Sequence, residues 1–392
     1  MTAAAAPGRA PRLLQLITFV STLDRFAMPP MLIAIAHELG APLSAMVNAA
    51  GAYFLAYGLM QPVWGMISDR VGLVTTMRMA LSLSAVSTIA AAFTQTTLGL
   101  GIARGLAGAC FGAAIPAALI YVGDTVPAHL RQREVTALMV GVALGTALAS
   151  IGAGVLAQFA SWRAAFLLTG LAAVVLAVAL GRLPRPPRAR AHTSVLAPLL
   201  DVVRSGPTRL VLALAFTEGA VLLGVLTLLP AAVEASGAST SVAGAVTAVY
   251  GVAVLGFARV VGALSQRMHA SRLIALGAVA AAVACGLTAL SRAPGVALAA
   301  AGLLGLAWAS MHSSLQTWAT EVLPSARATV VSAFAGALFL GSAVAAVLVG
   351  GLAESHRYAE IFGWATVLAI PLGLFATLGR TRWIRPEGEP GR

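Results

Sequence analysis

The sequence repeats itself at a fixed offset of 197 residues, and this repeat is the feature that most limits the possible folds. The matched positions include residue types that are scarce in this chain, such as Tyr53 with Tyr250 and Arg70 with Arg267. Further matches pair Arg12 with Arg209, Gly40 with Gly237, Gly65 with Gly262, Ser68 with Ser265, Gly105 with Gly302, Gly108 with Gly305, Asp124 with Glu321 and Pro127 with Pro324. Because Ala and Gly content alone does not produce a constant register over this length, we predict two copies of one structural unit.

Each copy is too apolar to be a water-soluble domain. Hydrophobic residues make up 59% of the chain and charged residues 10%, whereas soluble domains are about a quarter charged. A helix of roughly 20 apolar residues spans a bilayer. Twelve such stretches, six in each half, occur at about 13–36, 45–67, 74–93, 97–122, 135–159, 163–182, 209–232, 242–264, 272–290, 295–319, 329–352 and 359–378. We therefore predict an all-α membrane protein with twelve transmembrane helices in two pseudo-symmetric six-helix bundles.

The halves are joined by residues 183–208, a polar stretch rich in proline and arginine that is typical of a linker. We predict an N-terminal bundle over 1–182, a cytoplasmic linker over 183–208 and a C-terminal bundle over 209–392. Because each half has an even number of spans, both copies enter the membrane in the same direction. Parallel repeats of this kind are one plan of secondary transporters, which bind substrate between the halves near the bilayer midplane.

The charge pattern gives the expected orientation and excludes several functions. All 25 basic residues are arginine, so neither a phosphate-binding loop of the Walker type nor a Schiff-base lysine is possible. The arginines occur mainly in alternate loops, as the positive-inside rule requires of cytoplasmic loops, and this pattern explains the net charge of +12 without a nucleic-acid partner. We expect a monomer in the bacterial plasma membrane with both termini cytoplasmic, which binds a small-molecule substrate and protons and needs no cofactor or metal.

The loop after the second span carries a motif that occurs twice. It reads Gly65, Ser68-Asp69-Arg70 and Gly72, followed by Arg78, and a degenerate copy with Arg267 lies in the corresponding loop of the second half. This motif resembles the signature loop of the major facilitator superfamily, although Leu73 and Val74 stand where that family usually has basic residues. The resemblance covers essentially the whole chain. It implies that Asp69 meets a helix N-terminus or an arginine across the two halves and latches one conformation.

Two further motifs resemble the drug/proton antiporter branch of that family. Arg104 in span 4 precedes Gly105, Gly108 and Gly112, and its counterpart in the second half is Ala301. Span 5 contains the glycines 141, 145, 152 and 154, but Ala149-Ser150 occupies the usual Gly-Pro position. Packing between helices is the alternative explanation of these glycines, and a packing salt bridge is the alternative role of Arg104.

Two acidic residues, Asp24 and Glu218, lie well inside predicted spans, where a charged group without a partner is costly. Asp24 is about 18 Å along the helix from Arg12, near the midplane. Glu218 corresponds by the offset to Ser21, one turn away on the same face, so both acids are expected to face the space between the halves. Burial disfavours the charged form of a carboxylate, which makes Asp24 a candidate proton carrier that Arg104 and Glu218 would influence.

Arg25 follows Asp24 directly and cannot be its partner, because adjacent residues project about 100° apart around a helix. Pro29 and Pro30 then remove backbone donors and predict a kink in span 1. Two interpretations of this kink stay open: it is the hinge of a gate, or its role is purely structural.

Two stripes at four-residue spacing complete the candidate binding surface. Span 2 carries Tyr53, Tyr57 and Gln61, and span 10 carries Trp308, His312 and Gln316. Together with Arg25, they are candidates for binding an amphipathic or cationic ligand; the alternative is core aromatic residues with an interhelical hydrogen bond. His312 is a further titratable group, but a single histidine predicts no metal site.

These observations predict a secondary transporter that exports small lipophilic or cationic compounds in exchange for protons. Uptake of a small organic solute on the same fold stays open as the alternative, with Asp24 serving symport or an intramembrane arginine holding an anionic substrate. A membrane enzyme is not expected, because the sequence has neither a catalytic constellation nor a soluble domain.

Overall fold

The computed structural model describes residues 9–186 and 196–383, and within these ranges twelve helical segments are long and apolar enough to span a membrane. They confirm the twelve predicted spans and are named TM1 to TM12. Their bounds are Arg12–Glu38, Leu43–Val71, Leu73–Phe93, Thr97–Thr125, His129–Phe159, Trp162–Arg182, Gly206–Ala235, Thr240–Ser265, Ala270–Leu290, Pro294–Glu321, Pro324–Glu354 and Tyr358–Arg382.

Four spans are interrupted. TM1 consists of a helix that begins at Arg9 and ends at Ala27, a 3-10 turn at Pro29–Met31 and a helix over Leu32–Glu38, so the predicted proline kink is present. TM4 breaks between the helices Thr97–Phe111 and Ala114–Thr125. TM7 and TM10 contain π-helical turns at Gly219–Leu223 and Trp308–His312. No Pro lies in either π-turn, so only the proline kink was predictable.

The same helix pairs pack in both halves, which confirms the pseudo-symmetry. TM1 packs on TM5, TM2 on TM4 and TM3 on TM6, and the equivalent pairs TM7 with TM11, TM8 with TM10 and TM9 with TM12 form the second bundle. The bundles meet along TM2 with TM11 and TM5 with TM8. Part of the predicted linker lies outside the described residues, at 187–195, and its remainder contains a short helix, Leu196–Arg204.

Small residues allow TM2 to approach TM11 closely over part of its length. Ser44, Gly51, Gly58 and Gly65 are spaced seven residues apart, which places them on one stripe of the helix. A Cβ added at Gly51 would lie 2.9 Å from the Ala346 Cβ, and one at Gly58 would lie 2.8 Å from the Phe339 Cβ. At Gly65 an added Cβ would meet nothing within 4 Å. The two helices therefore diverge beyond Gly58.

The second interface between the bundles follows the same pattern. Gly154 of TM5 and Gly244 of TM8 lie against the partner backbone, and a Cβ at Gly251 would lie 2.8 Å from the backbone nitrogen of Ala147. Further along TM8, Gly256 and Gly262 have open space around them. The end of the molecule that contains Ser44 and Gly154 is here called the sealed end, and the end that contains Gly65 and Gly262 is called the open end.

The duplicated motif lies at the open end. Gly72 has φ of +92°, a backbone conformation that favours glycine, and it separates TM2 from TM3. Asp69, Arg70, Arg78 and Arg267 are exposed. Among the described residues, Asp69 takes part in no ion pair. The latch role of these residues therefore stays a prediction.

Candidate functional site

Asp24 and Arg104 form a salt bridge that is fully buried inside the first bundle. Arg104 Nη1 donates to Asp24 Oδ1 and Oδ2 at 3.1 and 3.0 Å, and Nη2 donates to the backbone carbonyl of Asp24 at 3.0 Å. Thr169 of TM6 adds a hydrogen bond to Oδ1 at 3.1 Å. Both charged side chains have no exposed surface. The pair joins TM1, TM4 and TM6.

Aromatic rings enclose the Arg104 guanidinium on two sides. Its Cζ atom lies 4.4 Å from the ring centre of Tyr53 and 4.6 Å from that of Phe166, within the range of cation–π attraction. Asp24 was expected to face the space between the halves, but in this structure it points into the first bundle. The reason is that Arg104, buried in the same bundle, supplies three donor contacts to it.

Arg25 points to the interface between the bundles instead. Its guanidinium lies 5.0 Å from the ring centres of Phe26 and Tyr57 and 5.9 Å from that of Phe339 in TM11. Its Nε atom is buried without a hydrogen-bond partner, and none of the ion pairs within residues 9–186 and 196–383 involves Arg25. The residue is 8% exposed. The interface thus holds a nearly buried cation that forms no ion pair with a carboxylate of the described residues.

Glu218 and His312 form the corresponding polar pair of the second bundle. Glu218 Oε2 lies 3.2 Å from His312 Nδ1, and the carboxylate is fully buried. Oε1 of Glu218 has no hydrogen-bond partner among the described residues. The His312 ring stacks on Trp308 with a centroid distance of 3.8 Å and lies 5.8 Å from the ring of Phe334.

Tyr250 of TM8 connects the two sides of the interface. Its ring packs edge-on against Trp308 at 6.4 Å, and its hydroxyl interacts electrostatically with both Arg25 and Glu218. The sequence analysis did not select Tyr250, although the repeat pairs it with the candidate Tyr53. Phe334 and Phe339 of TM11 were also missed, because nothing in an apolar helix distinguishes a ring that faces the interface from one in the core.

The structure brings only part of each predicted stripe together. Tyr53 and Tyr57 stack at 6.2 Å, and Trp308 stacks on His312. Gln61 is only half-buried and Gln316 is exposed, so neither belongs to the cluster. Among the described residues no three His, Cys, Asp or Glu side chains form a group that could hold a metal ion.

Two six-helix bundles that are closed at one end, separated at the other and lined between by charged and aromatic groups have the architecture of a secondary transporter. The model of the Major Facilitator Superfamily matches residues 14–346 and 231–391. The chain belongs to the Major Facilitator Superfamily.

Relatives support the family assignment. A probable transporter of Streptomyces coelicolor is 30% identical over 390 residues, which cover 97% of this chain and 87% of the relative. Other matches cover about a third of each relative. The 4-hydroxybenzoate transporter PcaK of Acinetobacter baylyi is 30% identical over 41% of this chain and 35% of its own length. The hexuronate transporter of Escherichia coli is 33% identical over 36% and 33%.

Solved structures show the same fold at low sequence identity. The nucleoside transporter NupG superposes with a TM-score of 0.78 at 14% identity and covers 95% of this chain and 100% of its own. A D-xylose-proton symporter gives a TM-score of 0.77 at 19% identity over 93% and 96%. These similarities concern the fold alone.

Proposed function

We propose that this protein is a secondary transporter for small organic carboxylates and that Arg25 binds the substrate carboxylate. The observation that carries the proposal is the position of Arg25, a nearly buried guanidinium between the bundles without an anionic partner among the described residues. Such a cation is costly inside a membrane unless an anion reaches it. A guanidinium binds a carboxylate through paired hydrogen bonds, which makes the substrate itself a suitable partner.

The substrates named for two relatives support this class. 4-Hydroxybenzoate and hexuronates both carry a carboxylate, and these relatives match this chain at 30% and 33% identity. The aromatic side chains around Arg25, namely Phe26, Tyr57 and Phe339, add apolar contact surface for the remainder of a small organic acid. This reading favours uptake of an organic acid, the alternative considered from the sequence.

Proton-coupled export of lipophilic or cationic compounds is the second candidate. It is supported by the span 4 motif and by an efflux pump of Mycolicibacterium smegmatis, which is 27% identical over 42% of this chain and 38% of the pump; the span 5 motif lacks its usual Gly-Pro pair and weakens the case for antiport. An unpaired arginine between the bundles opposes this candidate, because it repels a cationic substrate at the point where the two halves meet.

In the proposed cycle the open end faces the cytoplasm. The carboxylate binds at Arg25, and this site is accessible alternately from the two sides of the membrane. Asp24 carries the coupled proton, and Arg104 and Glu218 influence its protonation. When Asp24 is neutral, Arg104 loses its anionic partner, so protonation changes the electrostatic balance of TM1 and TM4. Asp69, Arg70 and Arg267 latch the opposite conformation, in which the present open end is closed.

The experiment compares ligands on the purified protein by thermal unfolding, since a ligand that binds only the folded protein raises its unfolding temperature. The probes are benzoate, nicotinate and galacturonate, with uncharged benzamide and the cation tetraphenylphosphonium. We expect at least one carboxylate to stabilise the wild type but not Arg25→Gln, and Arg25→Lys to keep part of the effect. Arg163→Gln, which removes an arginine paired with Glu38 away from Arg25, serves as the control.

Uptake into proteoliposomes with an imposed proton gradient then tests transport of the carboxylate that binds. Stabilisation by tetraphenylphosphonium together with no effect of any carboxylate would contradict the proposal and favour export. Equal stabilisation of the wild type and Arg25→Gln would remove Arg25 from the substrate site.

A further inference from the structure

The Glu218–His312 pair presents a hydrogen-bond acceptor at the interface between the bundles. With Glu218 ionised and His312 neutral, the imidazole proton lies on Nδ1 and points to Glu218 Oε2 at 3.2 Å, because an ionised carboxylate only accepts hydrogen bonds. The other ring nitrogen, Nε2, is then an acceptor, and it makes no hydrogen bond within residues 9–186 and 196–383. Glu218 thereby sets the tautomer of His312, as carboxylate–histidine pairs commonly do.

Aromatic side chains pack against the His312 imidazole but do not donate a hydrogen bond to Nε2. Trp308 covers one face of the ring at 3.8 Å with an interplanar angle of 19°, and Phe334 lies on TM11 at 5.8 Å. Neither aromatic residue offers a donor to Nε2 in this arrangement. A second polar atom, Glu218 Oε1, is buried without a partner among the described residues. The site therefore has two acceptor atoms, His312 Nε2 and Glu218 Oε1, that no described residue satisfies, and a ligand that carries a donor can bind there.

TM11 carries aromatic rings that contact both Arg25 and His312. Arg25 contacts the ring of Phe339, and His312 contacts the ring of Phe334. Residues five positions apart in an α-helix differ by about 7.5 Å in rise and by about 140° around the axis, so TM11 presents these two rings on different sides of the helix. Tyr250 of TM8 interacts electrostatically with both Arg25 and Glu218.

We propose that His312 selects substrates that carry a hydroxyl or amino group opposite the carboxylate. Arg25 holds the carboxylate, the aromatic side chains contact the ring of the substrate, and His312 Nε2 accepts a hydrogen bond from the distal group. Glu218 is a positioning residue that acts through His312. The substrate class is then a small ring carboxylate with a distal hydrogen-bond donor. This inference rests on the proposed function, because it requires the carboxylate at Arg25.

The test measures the affinities of benzoate, 4-hydroxybenzoate and 4-methoxybenzoate for the same preparation of purified protein by calorimetry. The methoxy compound has similar shape at the distal position but no donor. We expect the wild type to bind 4-hydroxybenzoate about fivefold more tightly than either other ligand, which is the effect of one net hydrogen bond. We expect the ratio to fall to near one in His312→Phe.

Variants of Glu218 and one control variant are tested by the same ratio of affinities, that for 4-hydroxybenzoate relative to those for the other two ligands. This ratio does not depend on the total amount of folded protein. Glu218→Ala is expected to lose the preference for the hydroxyl group, and Glu218→Asp to retain part of it, since it keeps a carboxylate for Nδ1. Gln316→Leu changes a polar side chain about one turn along TM10 from His312 that is exposed and outside the cluster, and it should keep the wild-type ratio. If His312→Phe does not fold, His312→Gln replaces it.

The outcomes separate the two proposals. Binding of all three carboxylates with equal affinity by the wild type would overturn the role of His312 and leave Arg25 as the carboxylate site. If His312→Phe and Glu218→Ala both kept the preference for 4-hydroxybenzoate, the role of His312 would likewise be overturned and Arg25 would remain the carboxylate site. Absence of binding by any carboxylate would overturn the proposed function, and with it this inference.

Discussion

Asp24 and Arg25 are neighbours in the chain, yet the helix directs them into different surroundings. Asp24 turns into the first bundle, where Arg104 neutralises it, and Arg25 turns to the interface, where no described carboxylate does so. The separation follows from the angle of about 100° between successive residues of a helix. Asp24 is paired with Arg104 and does not neutralise Arg25, so in the proposed function Arg25 is available to a ligand.

The buried pair predicts a large and specific loss of stability when one partner is removed. Asp24→Asn leaves the fully buried Arg104 without a counter-charge, and removal of one partner of a buried ion pair typically costs about 3–5 kcal/mol. We expect a clear drop in the unfolding temperature of Asp24→Asn in detergent. Because Asp24 also carries the coupled proton in the proposed cycle, proton-driven uptake should be lost.

A double variant distinguishes the structural role from the proposed coupling role. Asp24→Asn combined with Arg104→Gln removes both charges and should recover most of the stability, while proton-driven uptake stays absent. Recovery of uptake in the double variant would show that Asp24 serves only to neutralise Arg104. An unfolding temperature of the single variant equal to that of the wild type would contradict the buried pair itself.

For individual residues, the sequence was sufficient to predict which charged side chains lie inside the membrane, but it predicted only some of the side chains that contact them. Asp24, Arg104 and Glu218 were predictable because charges inside apolar spans are rare and costly. Thr169 and the rings of Phe166 and Phe334 were not, because contacts between distant helices depend on how the helices rotate against each other. The pairing of Glu218 with His312 likewise requires that TM7 and TM10 be adjacent.

At the scale of helices, apolar length predicted all twelve spans, but local helix geometry changed one predicted face. Trp308, His312 and Gln316 share a face in a regular α-helix. The π-turn Trp308–His312 inserts an additional residue into one turn and rotates the following residues, so Gln316 leaves the cluster. Sequence periodicity assumes a constant number of residues per turn and does not detect such a turn.

The contact between TM5 and TM8 allows a matched comparison within one helix. A Cβ at Gly251 would lie 2.8 and 2.9 Å from backbone atoms of Ala147 and Ala143, whereas one at Gly256 would meet nothing within 4 Å. We expect Gly251→Val to force the helices apart and to lower the unfolding temperature. Gly256→Val should have little effect, because both changes carry the same helix-propensity cost and only the first adds a clash.

The two valine variants are compared by thermal unfolding and by labelling of a cysteine introduced at the sealed end with a membrane-impermeant reagent. Faster labelling in Gly251→Val than in Gly256→Val would indicate a loosened sealed end. Equal unfolding temperatures and equal labelling would show that close packing at Gly251 does not hold this interface together.

At the scale of the whole molecule, two polar contacts related by the repeat close the sealed end. The Ser44 backbone nitrogen at the start of TM2 donates to Glu354 Oε2 of TM11 at 3.0 Å. Ser241, which is the repeat partner of Ser44, donates from its backbone nitrogen at the start of TM8 to Gln158 Oε1 of TM5 at 2.9 Å. Each bundle therefore caps the N-terminus of one helix in the other bundle.

Removal of these caps is expected to shift the conformational equilibrium. Both contacts join opposite bundles and must break when the sealed end opens, so they stabilise only the present conformation. The loss of a helix cap costs about 0.5–2 kcal/mol, and 1.4 kcal/mol corresponds to a tenfold change in an equilibrium constant. We expect Glu354→Ala with Gln158→Ala to increase the population that is open at this end by about tenfold or more.

Distances between spin labels placed on the two bundles at the sealed end measure this population directly. Glu360→Ala is the matched control, because Glu360 is an exposed carboxylate at the same end whose ion pair with Arg357 lies within one bundle. If the caps hold the bundles together, the population with longer distances grows in the double cap variant and does not grow in the control. An unchanged distance distribution in the double variant would mean that the glycine-lined interfaces alone keep this end closed.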